Sequence, residues 1–431
     1  KMLSYNPNIC SGGFMERSIL HCDANKFYAS VECLYNPEIR NKPVAVGGNE
    51  ETRHGIVLTG NAIAKSRYGV KTGMSLAEAR ALCPKLVVVP PNYPRYLRFS
   101  KMLRQIYSDY TDTVEPFGLD ECWLDVTGSG LLFGSPEKIA DDIRRRVRFE
   151  LGITVSVGVS WNKIFAKLGS DYKKPDAVTV INKDNYRKII YPLPVSDLLM
   201  IGPATTRKLK SHSIYTIGEL ASAPPEMLAA FLGKMGYVLH AFANGRESSP
   251  VTANGYAPII KSVGNGITAP RDLKNEDDIK SVQYVLTESV ARRLREQGLK
   301  GRVVSIGIRD KNLFSFTRQS RLKIATNDTG KLQNAALELF RANYSFDTMP
   351  PVRALTVSVS ELCDENEAFQ LDMFEDNALN EKLNRLNHTI DGLKDRFGSY
   401  CVRQAFLLND KQLSDFDPYE NNIIHPVSYF K

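Results

Sequence analysis

Residues 118–125 read Gly-Leu-Asp-Glu-Cys-Trp-Leu-Asp, a tight turn that leads into a strand of alternating residues. In such a strand, successive side chains point to opposite faces. Two neighbouring acids, Asp120 and Glu121, stand where the turn enters the strand. A third acid, Asp23, ends the earlier apolar run Ile-Leu-His-Cys-Asp at 19–23. If the two strands are neighbours in one sheet, the three carboxylates converge, and no lysine or arginine adjacent in sequence neutralises them.

Converging carboxylates predict a particular chemistry. Carboxylate oxygens are hard ligands that suit Mg²⁺, and two such ions can assist an in-line phosphoryl displacement. Taken alone, however, acids at a strand end are usually solvated turn residues, so this interpretation needs support from the rest of the chain.

The composition is that of a multidomain globular protein. A chain of 431 residues exceeds a single hydrophobic core, and its hydrophobic fraction of 43% and charged fraction of 24% are ordinary for soluble proteins. No apolar run is long enough to span a bilayer, and no signal peptide is recognisable. The seven cysteines are scattered singly. This spacing argues against a zinc site or a disulfide framework and predicts a cytoplasmic protein.

Charge is distributed unevenly along the chain. Residues 361–431 contain 14 acids and 7 bases, a net charge of −7, so residues 1–360 carry +15 of the overall +8. A basic body predicts a polyanionic partner, and the lack of a basic amphipathic anchor helix favours nucleic acid over a membrane.

The order of predicted elements indicates an α+β organisation. Strands mixed with crossover helices predict a sheet domain up to about residue 184, followed by small helices from residue 198. A Gly-Pro turn at 201–203 opens one of these helices, and exposed backbone N–H groups near Gly202 and Thr205 suit a DNA phosphate. An ordinary helix hairpin is the alternative.

The region from 258 to 360 reads strand, helix, strand, strand, helix, strand, and contains 17 bases and 10 acids. Many of the bases fall on predicted strands, which favours a basic sheet face that grips DNA phosphates over a merely solvated surface. The bases assigned to DNA binding are Arg309, Arg318, Arg321 and Lys323.

Three motifs together resemble the Y-family (translesion) DNA polymerases, in particular bacterial DNA polymerase IV and UmuC-like proteins. They lie at 21–32 (His-Cys-Asp-Ala-Asn-Lys-Phe-Tyr-Ala-Ser-Val-Glu), at the Asp120-Glu121 pair, and at 157–168, continuing to 171–175. The resemblance covers the chain from Met15 to about Phe406. It implies a right-hand polymerase with a ferredoxin-like palm, small fingers, a helix-hairpin-helix thumb and a βαββαβ little finger.

The resemblance also implies domain boundaries. They are 1–14 for a leader outside the fold, 15–36 and 92–184 for the palm, 37–91 for the fingers, 185–250 for the thumb, 251–257 for a linker, 258–360 for the little finger, and 361–431 for a clamp-binding peptide and tail.

The resemblance assigns the acids and one aromatic residue. Asp23, Asp120 and Glu121 match the catalytic, metal-binding carboxylates, and the backbone carbonyl of Ala24 completes the ligand set of one ion. Two Mg²⁺ ions are implied, for which Mn²⁺ can substitute. Tyr28 matches the steric gate, whose ring collides with a ribose 2′-hydroxyl and so selects deoxynucleotides; a plain core aromatic is the alternative.

The resemblance also implies a set of residues around the incoming nucleotide. They are Phe27, Tyr28, Thr59, Lys65, Arg67 and Lys174. Lys174 matches the lysine that contacts the triphosphate, where positive charge stabilises the leaving pyrophosphate. Lys65 stands where most relatives carry arginine; Arg67 is the competing phosphate ligand if the helix register shifts, because this chain has one extra residue before Gly69.

Two further positions depart from the family pattern. Asn25 stands where many relatives carry a second aspartate and is not expected to bind metal. Met200 stands where the thumb hairpin usually begins with glycine, which weakens the expected contact between the backbone and a phosphate.

A short peptide in the acidic C-terminal region resembles the segment by which bacterial polymerases dock on the β sliding clamp. Its residues are Gln370, Leu371, Met373 and Phe374. Packing of its apolar side chains back onto the body is the alternative, and the flanking acids favour exposure.

The resemblance implies template-directed nucleotidyl transfer by a DNA-directed DNA polymerase. The fingers have fewer than 60 residues, which predicts low fidelity and translesion synthesis in DNA repair. The implied partners are primer–template DNA, deoxynucleoside triphosphates and the β clamp, with no membrane. We expect a monomer in the cytoplasm, associated with the nucleoid when it is on DNA. A non-catalytic, clamp-recruited DNA-binding scaffold is the alternative, and a nucleotide cyclase is a third hypothesis.

Overall fold

A computed structural model of the chain describes residues 16–48, 55–253, 259–367 and 377–421. The chain forms two compact units. The first consists mainly of Lys1–Gly48 and Ile56–Tyr256, and the second mainly of Ala257–Tyr429. Among the described helices, none combines the length and the apolar character needed to cross a membrane.

The strands are β1 Ile19–Ala24, β2 Val44–Gly47, β3 Val57–Gly60, β4 Val87–Val89, β5 Val114–Phe117, β6 Glu121–Asp125, β7 Val155–Ser160, β8 Val178–Val180, β9 Ser262–Leu273, β10 Leu299–Asp310, β11 Ser315–Thr326 and β12 Val352–Asp364. The helices are α1 Phe27–Tyr35, α2 Ala62–Tyr68, α3 Leu76–Leu82, α4 Tyr93–Ser108, α5 Gly130–Phe133, α6 Pro136–Arg146, α7 Lys163–Tyr172, α8 Tyr186–Ile190, α9 Pro203–Ser211, α10 Ile217–Ser222, α11 Pro225–Leu232, α12 Lys234–Ala243, α13 Glu276–Glu296, α14 Thr329–Asn343, α15 Asn377–Phe397, α16 Lys411–Ser414 and α17 Pro418–Asn421.

The predicted palm is a five-stranded sheet with the order β5-β6-β1-β7-β8. The succession β1, α4, β5, β6, α6, β7 is βαββαβ, which confirms the ferredoxin-like core. All six residues of β1 are buried because the strand lies at the centre of the sheet. Helix α7 packs closely on β7, where a Cβ at Gly158 would lie 1.8 Å from the carbonyl oxygen of Ala166. Glycine is therefore required at this contact.

The predicted fingers are built on a small sheet with the order β3-β2-β4. Helix α2 begins after Asn61, whose side chain accepts a hydrogen bond from the backbone N–H of Ala64. Helix α3 begins with a capping box formed by Ser75 and Glu78. These caps satisfy the free N–H groups of the first helical turn and fix where each helix starts.

The predicted thumb consists of helices α8 to α12 around a buried apolar cluster that includes Leu209, Leu220 and Leu239. It is joined to the palm at Gly245, whose carbonyl oxygen accepts a hydrogen bond from the indole nitrogen of Trp161 at 3.0 Å. The small helices that the sequence predicted beyond residue 198 are thus one packed layer.

The second unit is a four-stranded antiparallel sheet with the order β11-β10-β12-β9. Its apolar core is formed by one face of this sheet together with α13 and α14. The element succession is βαββαβ, as predicted for the little finger. Strand β12 continues to Asp364, four residues beyond the predicted boundary at 360.

Residues 377–421, which the sequence assigned to a tail, contact the second unit. Helix α15 spans Asn377–Phe397. It is held to α13 by ion pairs, such as the one between Arg295 and Asp391 at 2.6 Å. Further along, Leu413 is fully buried in the core of the second unit. Residues up to 421 therefore belong to this unit, although the sequence assigned them to a tail.

Candidate active site

The strands that carry the predicted acids are neighbours in the sheet. Asp23 lies directly opposite Glu121 in the antiparallel pairing of β1 and β6. The backbone N–H of Ala24 donates to the carbonyl oxygen of Asp120 at 3.0 Å. Hydrogen-bonded and non-hydrogen-bonded pairs alternate, so Asp23 and Glu121 form a non-hydrogen-bonded pair, whose Cα atoms lie about 4.5 Å apart. The convergence predicted from the sequence is therefore present.

The turn before β6 presents Asp120 at this point. Gly118 has a φ of 87°, a conformation that residues with a side chain rarely adopt. Leu119 follows with its side chain buried, which anchors the turn to the body. The Gly-Leu-Asp-Glu stretch thus places two successive acids at the entrance of the strand.

Two lysines form ion pairs with Asp23 and Glu121, although no base is adjacent to these acids in the sequence. The ammonium of Lys174 lies 2.5 Å from Oδ2 of Asp23 and 2.7 Å from Asp171. The ammonium of Lys167 contacts Oε2 of Glu121. Both lysines are far from the acids in sequence, on α7 and just beyond its end. Their contacts with the acids depend on the fold and could not be inferred from residues adjacent in sequence.

The three carboxylates ionise differently. Burial, together with the neighbouring acids, raises the pKa of Asp23 to about 7 and that of Asp120 to about 6. Burial also opposes ionisation of Glu121, but contacts with His21 and Lys167 outweigh it and lower its pKa to about 2. Burial lowers the pKa of His21 itself. Glu121 is therefore held in its ionised form by His21 first and by the ammonium of Lys167 second.

The donor set fits divalent cations. In the part of the chain that the structure describes, no three His, Cys, Asp or Glu side chains already form a ready-made metal cage. Ammonium groups contact the carboxylate oxygens of Asp23 and Glu121 instead. Burial and the neighbouring acids raise the pKa values of Asp23 and Asp120 in spite of the nearby ammonium groups, so a bound cation would favour the ionised carboxylates. Carboxylate oxygens are hard donors that suit ions such as Mg²⁺.

An aromatic stack lies beside the acids. The ring of Tyr28 stacks on Tyr96, with centroids 4.4 Å apart and an interplanar angle of 27°. Tyr93 meets Tyr28 edge-on at 6.4 Å. Burial, with the charge of Asp120 as a smaller contribution, raises the pKa of Tyr28 to about 12. The Tyr28 ring is thus a neutral, half-buried surface close to the carboxylates.

Three lysines near the acids, Lys26, Lys65 and Lys174, interact electrostatically with one another. Burial lowers the pKa values of Lys26 and Lys65, and each is lowered further by the charge of Lys174. The negative charge of Asp23 acts on Lys65 in the opposite direction, so Lys65 lies within electrostatic reach of the acids. Arg67 is two positions further along α2, and residues two apart on a helix do not face the same way. This geometry favours Lys65 over Arg67 as the phosphate ligand.

Asn25 links the start of α1 to neighbouring residues by two hydrogen bonds. Its amide nitrogen donates to the hydroxyl of Thr154 at 3.2 Å, and its carbonyl oxygen accepts from the hydroxyl of Ser156 at 3.0 Å. Two other predicted nucleotide contacts, Phe27 and Thr59, have side chains that are almost fully buried.

The predicted phosphate-binding turn of the thumb keeps its backbone shape without glycine. Met200 adopts the left-handed conformation, with a φ of 72°. Gly202 then caps α9, a helix of nine residues, and a Cβ at this position would meet no atom within 4 Å. The first N–H groups of a helix, here including that of Thr205, lack partners within the helix and can donate to an anion. Methionine at position 200 is therefore compatible with a left-handed backbone conformation at the start of this turn.

The predicted basic residues of the second unit do not all share one face. Arg321 pairs with Val303 and Arg309 pairs with Ser315, so both side chains lie on the face opposite the core. Lys323 follows Leu322, which packs on the core, and so points to that outer face too. Arg318 instead pairs with the buried Ile306 and lies on the core side at the sheet edge. The prediction that these four bases share one face of the sheet is therefore wrong for Arg318.

The predicted clamp-binding residues lie outside the described part of the chain. They are Gln370, Leu371, Met373 and Phe374.

Two residues of the site, Lys167 and Tyr96, were not predicted from the sequence, although Lys167 lies within the motif at 157–168. Lys167 precedes Asp171 by one helical turn, a spacing at which ion pairs form. Tyr93 and Tyr96 are three apart on α4 and therefore share one face. Both spacings are visible in the sequence, although their partners on other elements are not.

Two family models match the chain. The impB/mucB/samB family matches residues 22–171, and the C-terminal domain of the same family matches residues 260–373. The first match contains all three acids, and the second contains most of the second unit.

Similar proteins cover nearly the whole chain. DNA polymerase IV of Acetivibrio thermocellus is 52% identical over 400 residues, which are 93% of this chain and 100% of that protein. DNA polymerase IV of Moorella thermoacetica is 40% identical over 91% of this chain and 96% of that protein. DNA polymerase IV 2 of Bacillus subtilis is 37% identical over 90% of this chain and 94% of that protein.

Solved structures share the fold. A Y-family DNA polymerase chimera of Dbh and Dpo4 superposes with a TM-score of 0.69 at 24% identity, covering 80% of this chain and 99% of that chain. DinB from Sulfolobus solfataricus gives a TM-score of 0.52 at 24% identity, covering 80% of this chain and 98% of that chain. At this identity, the likeness concerns the fold alone.

Proposed function

The chain belongs to the impB/mucB/samB family of bacterial Y-family DNA polymerases, and we propose that it extends a primer on a DNA template by metal-dependent nucleotidyl transfer at the acidic site of the palm. The observation that carries this proposal is the placement of Asp23 directly opposite Glu121, with Asp120 at the entrance of the same strand. Its substrates are primer–template DNA and deoxynucleoside triphosphates.

Asp23, Asp120 and Glu121, with the backbone carbonyl of Ala24, would hold two Mg²⁺ ions, or Mn²⁺ in their place. Such ions lower the pKa of an attacking hydroxyl and stabilise the leaving pyrophosphate. The protein contributes the anionic, mostly buried surface that positions these charges. His21 contacts Glu121, with its Nε2 atom 3.2 Å from Oε2 of the carboxylate.

The lysines and the ring of Tyr28 would bind the incoming nucleotide. Lys26, Lys65 and Lys174 supply positive charge for the triphosphate, where it offsets the charge that develops on the leaving group. Lys174 contacts Asp23 and Asp171 in the structure, so this role requires it to exchange these carboxylates for phosphate. Tyr28 would pack against the deoxyribose and exclude a 2′-hydroxyl.

DNA would contact two further surfaces. The first turn of α9, with Gly202 and Thr205, offers N–H groups to one phosphate. The outer face of the second unit offers Arg309, Arg321 and Lys323, which bind phosphates without reading sequence. The peptide around Leu371 and Phe374 would dock on the β sliding clamp by its apolar side chains.

Low fidelity and translesion synthesis are consistent with the small fingers. Their sheet has three short strands, and the helices of the predicted fingers, α2 and α3, have seven residues each. So small a layer encloses the nascent base pair weakly, and a weakly checking site accepts damaged templates. The cytoplasmic location and the monomeric state remain predictions from the sequence.

Primer extension tests the catalytic proposal. We expect the wild-type protein to extend a primer on undamaged and damaged templates with Mg²⁺, and Asp120→Ala to lose activity by roughly a thousandfold, since metal ligands contribute several kcal/mol to the transition state. A non-catalytic scaffold predicts no extension by either form. Extension of equal rate by both forms would show that the acids are not the catalytic site.

A further inference from the structure

Glu32 is a buried carboxylate that the catalytic site does not use. It is only 5% exposed, and carboxylates are rarely buried to this degree unless they are paired. Glu32 lies four residues after Tyr28 on α1, so the two side chains project from the same face of the helix. A costly buried charge one turn away from the proposed steric gate calls for a physical reason.

Both carboxylate oxygens of Glu32 accept hydrogen bonds from successive residues of α4. The hydroxyl of Tyr96 donates to Oε1 at 2.8 Å, and the guanidinium of Arg95 donates to Oε2 at 2.7 Å. The same guanidinium lies 3.8 Å from the ring centre of Tyr35 at the end of α1. Glu32 is therefore held in one position from two sides.

Tyr96 links Glu32 to Tyr28. Its side chain is fully buried. Its ring stacks on the Tyr28 ring at 4.4 Å, while its hydroxyl is bound by Glu32. The ring stack alone is non-directional and allows sliding, whereas the hydrogen bond fixes where the Tyr96 ring lies in its plane. The position of Tyr28 consequently depends on the contact between Tyr96 and Glu32.

We propose that Glu32 is a positioning residue for sugar discrimination, which acts on Tyr28 through Tyr96 and is itself held by Arg95. Exclusion of a 2′-hydroxyl by a ring depends on the location of the ring to within about 0.5 Å. A supporting ring that can shift lets the gate yield to the larger sugar. This inference rests on the proposed role of Tyr28 as the steric gate.

The test compares incorporation of a deoxynucleotide and the matching ribonucleotide, each as kcat/KM on one primer–template. Tyr96→Phe removes only the hydroxyl, and Glu32→Gln keeps the size of the side chain but removes its charge. We expect each change to lower the ratio of deoxynucleotide to ribonucleotide kcat/KM roughly fivefold, the factor that corresponds to one net hydrogen bond. The loss should arise from a lower KM for the ribonucleotide, with kcat for the deoxynucleotide within about twofold of wild type.

Arg95→Gln should lower the same ratio, whereas its matched control Arg98→Gln, an exposed arginine of the same helix, should not. Combining Glu32→Gln with Tyr96→Phe should lower the ratio no further than one change alone, because both act through one contact. Melting temperatures of all variants establish that each is folded.

Tyr28→Ala separates the two levels of the proposal. If Tyr28→Ala leaves the ratio unchanged, the steric-gate role itself is wrong. If Tyr28→Ala collapses the ratio while Glu32→Gln and Tyr96→Phe keep the wild-type ratio, the gate stands and the positioning role of Glu32 is overturned. An equal loss for both sugars in these two variants would also overturn it, because a purely structural residue has that effect.

Discussion

Asp120 in the acidic site of the first unit and Asp278 in the second unit are buried carboxylates whose pKa values are shifted in opposite directions. Asp278, at the start of α13, accepts two hydrogen bonds from Arg271, each at 2.8 Å. Burial opposes its ionisation, but the contacts with Arg271 and the backbone N–H of Lys274 outweigh it and lower its pKa. Asp120 is also largely buried, but its pKa is raised to about 6. A carboxylate whose hydrogen bonds outweigh the cost of its burial stabilises the fold. Asp120, for which burial outweighs the nearby positive charges, costs stability when it is ionised.

The largest change in stability should follow from breaking the satisfied pair. Asp278→Asn should destabilise the second unit by about 3 kcal/mol, because the charge-assisted hydrogen bonds from Arg271 and from the backbone N–H of Lys274 are lost or weakened. Arg271 keeps its second carboxylate partner, Asp410, at 2.6 Å. Calorimetry of the full-length protein measures this as a lower unfolding temperature of one unit. Asp277→Asn is the matched control, since Asp277 is the exposed neighbour on the same helical turn. Equal effects of the two changes would contradict the comparison.

Asp120→Asn should raise the free energy of unfolding, whereas Asp278→Asn should lower it. In the folded protein the raised pKa makes the ionised carboxylate costly, so the neutral amide should stabilise the protein without divalent cations by roughly 1–3 kcal/mol at pH 8. The gain should shrink as the pH falls through 6, and vanish near pH 4, because the wild-type carboxyl is then protonated when folded. Thermal melts in a chelating buffer over this range provide the measurement. Destabilisation at pH 8 would mean that Asp120 is satisfied like Asp278.

Metal affinity should follow the same pKa values. Protons compete with Mg²⁺ for Asp23 and Asp120, whose pKa values are about 7 and about 6. The Mg²⁺ concentration needed for half-maximal primer extension should therefore fall as the pH rises from 5.5 to 7.5, by up to about tenfold per unit, and level off above this range. A half-maximal concentration that is independent of pH would argue that these carboxylates do not bind the metal.

The smallest effect concerns the surface charges of the second unit. Arg321→Gln should reduce the slope of log affinity for duplex DNA against log salt by about 1, because one phosphate contact is lost. Arg318→Gln should change this slope less, since Arg318 lies on the other face of the sheet. Equal slopes for the two variants would show that position on the sheet does not decide which charges meet DNA.

Much of the fold was predictable because its signals are local. The apolar run at 19–23 and the alternating strand after Asp120 correspond to β1 and β6. The pairing of the two acidic strands also followed from the sequence, once the motifs indicated a shared sheet. The domain boundaries inferred from the resemblance stay predictions.

What could not be predicted depends on pairing between distant elements. Lys174 lies 151 positions from Asp23 along the chain, and no periodicity connects them. The orientation of Arg318 depends on the register between β10 and β11, and a shift by one residue would reverse it. The contact of Glu32 with Tyr96 likewise requires α1 and α4 to cross at one particular height.

The packing of residues 377–421 on the second unit limits where the protein can be shortened. Arg292 and Arg295 are nearly buried under this segment and pair with Asp395 and Asp391. Ending the chain after β12 would remove the carboxylate that pairs with Arg295 and one of the two that pair with Arg292, which would keep Glu296. It would also leave a cavity where Leu413 lies in the core. A truncated form designed for crystallisation or expression should therefore keep the polypeptide through residue 421, since a cut at the apparent domain end yields an aggregation-prone product.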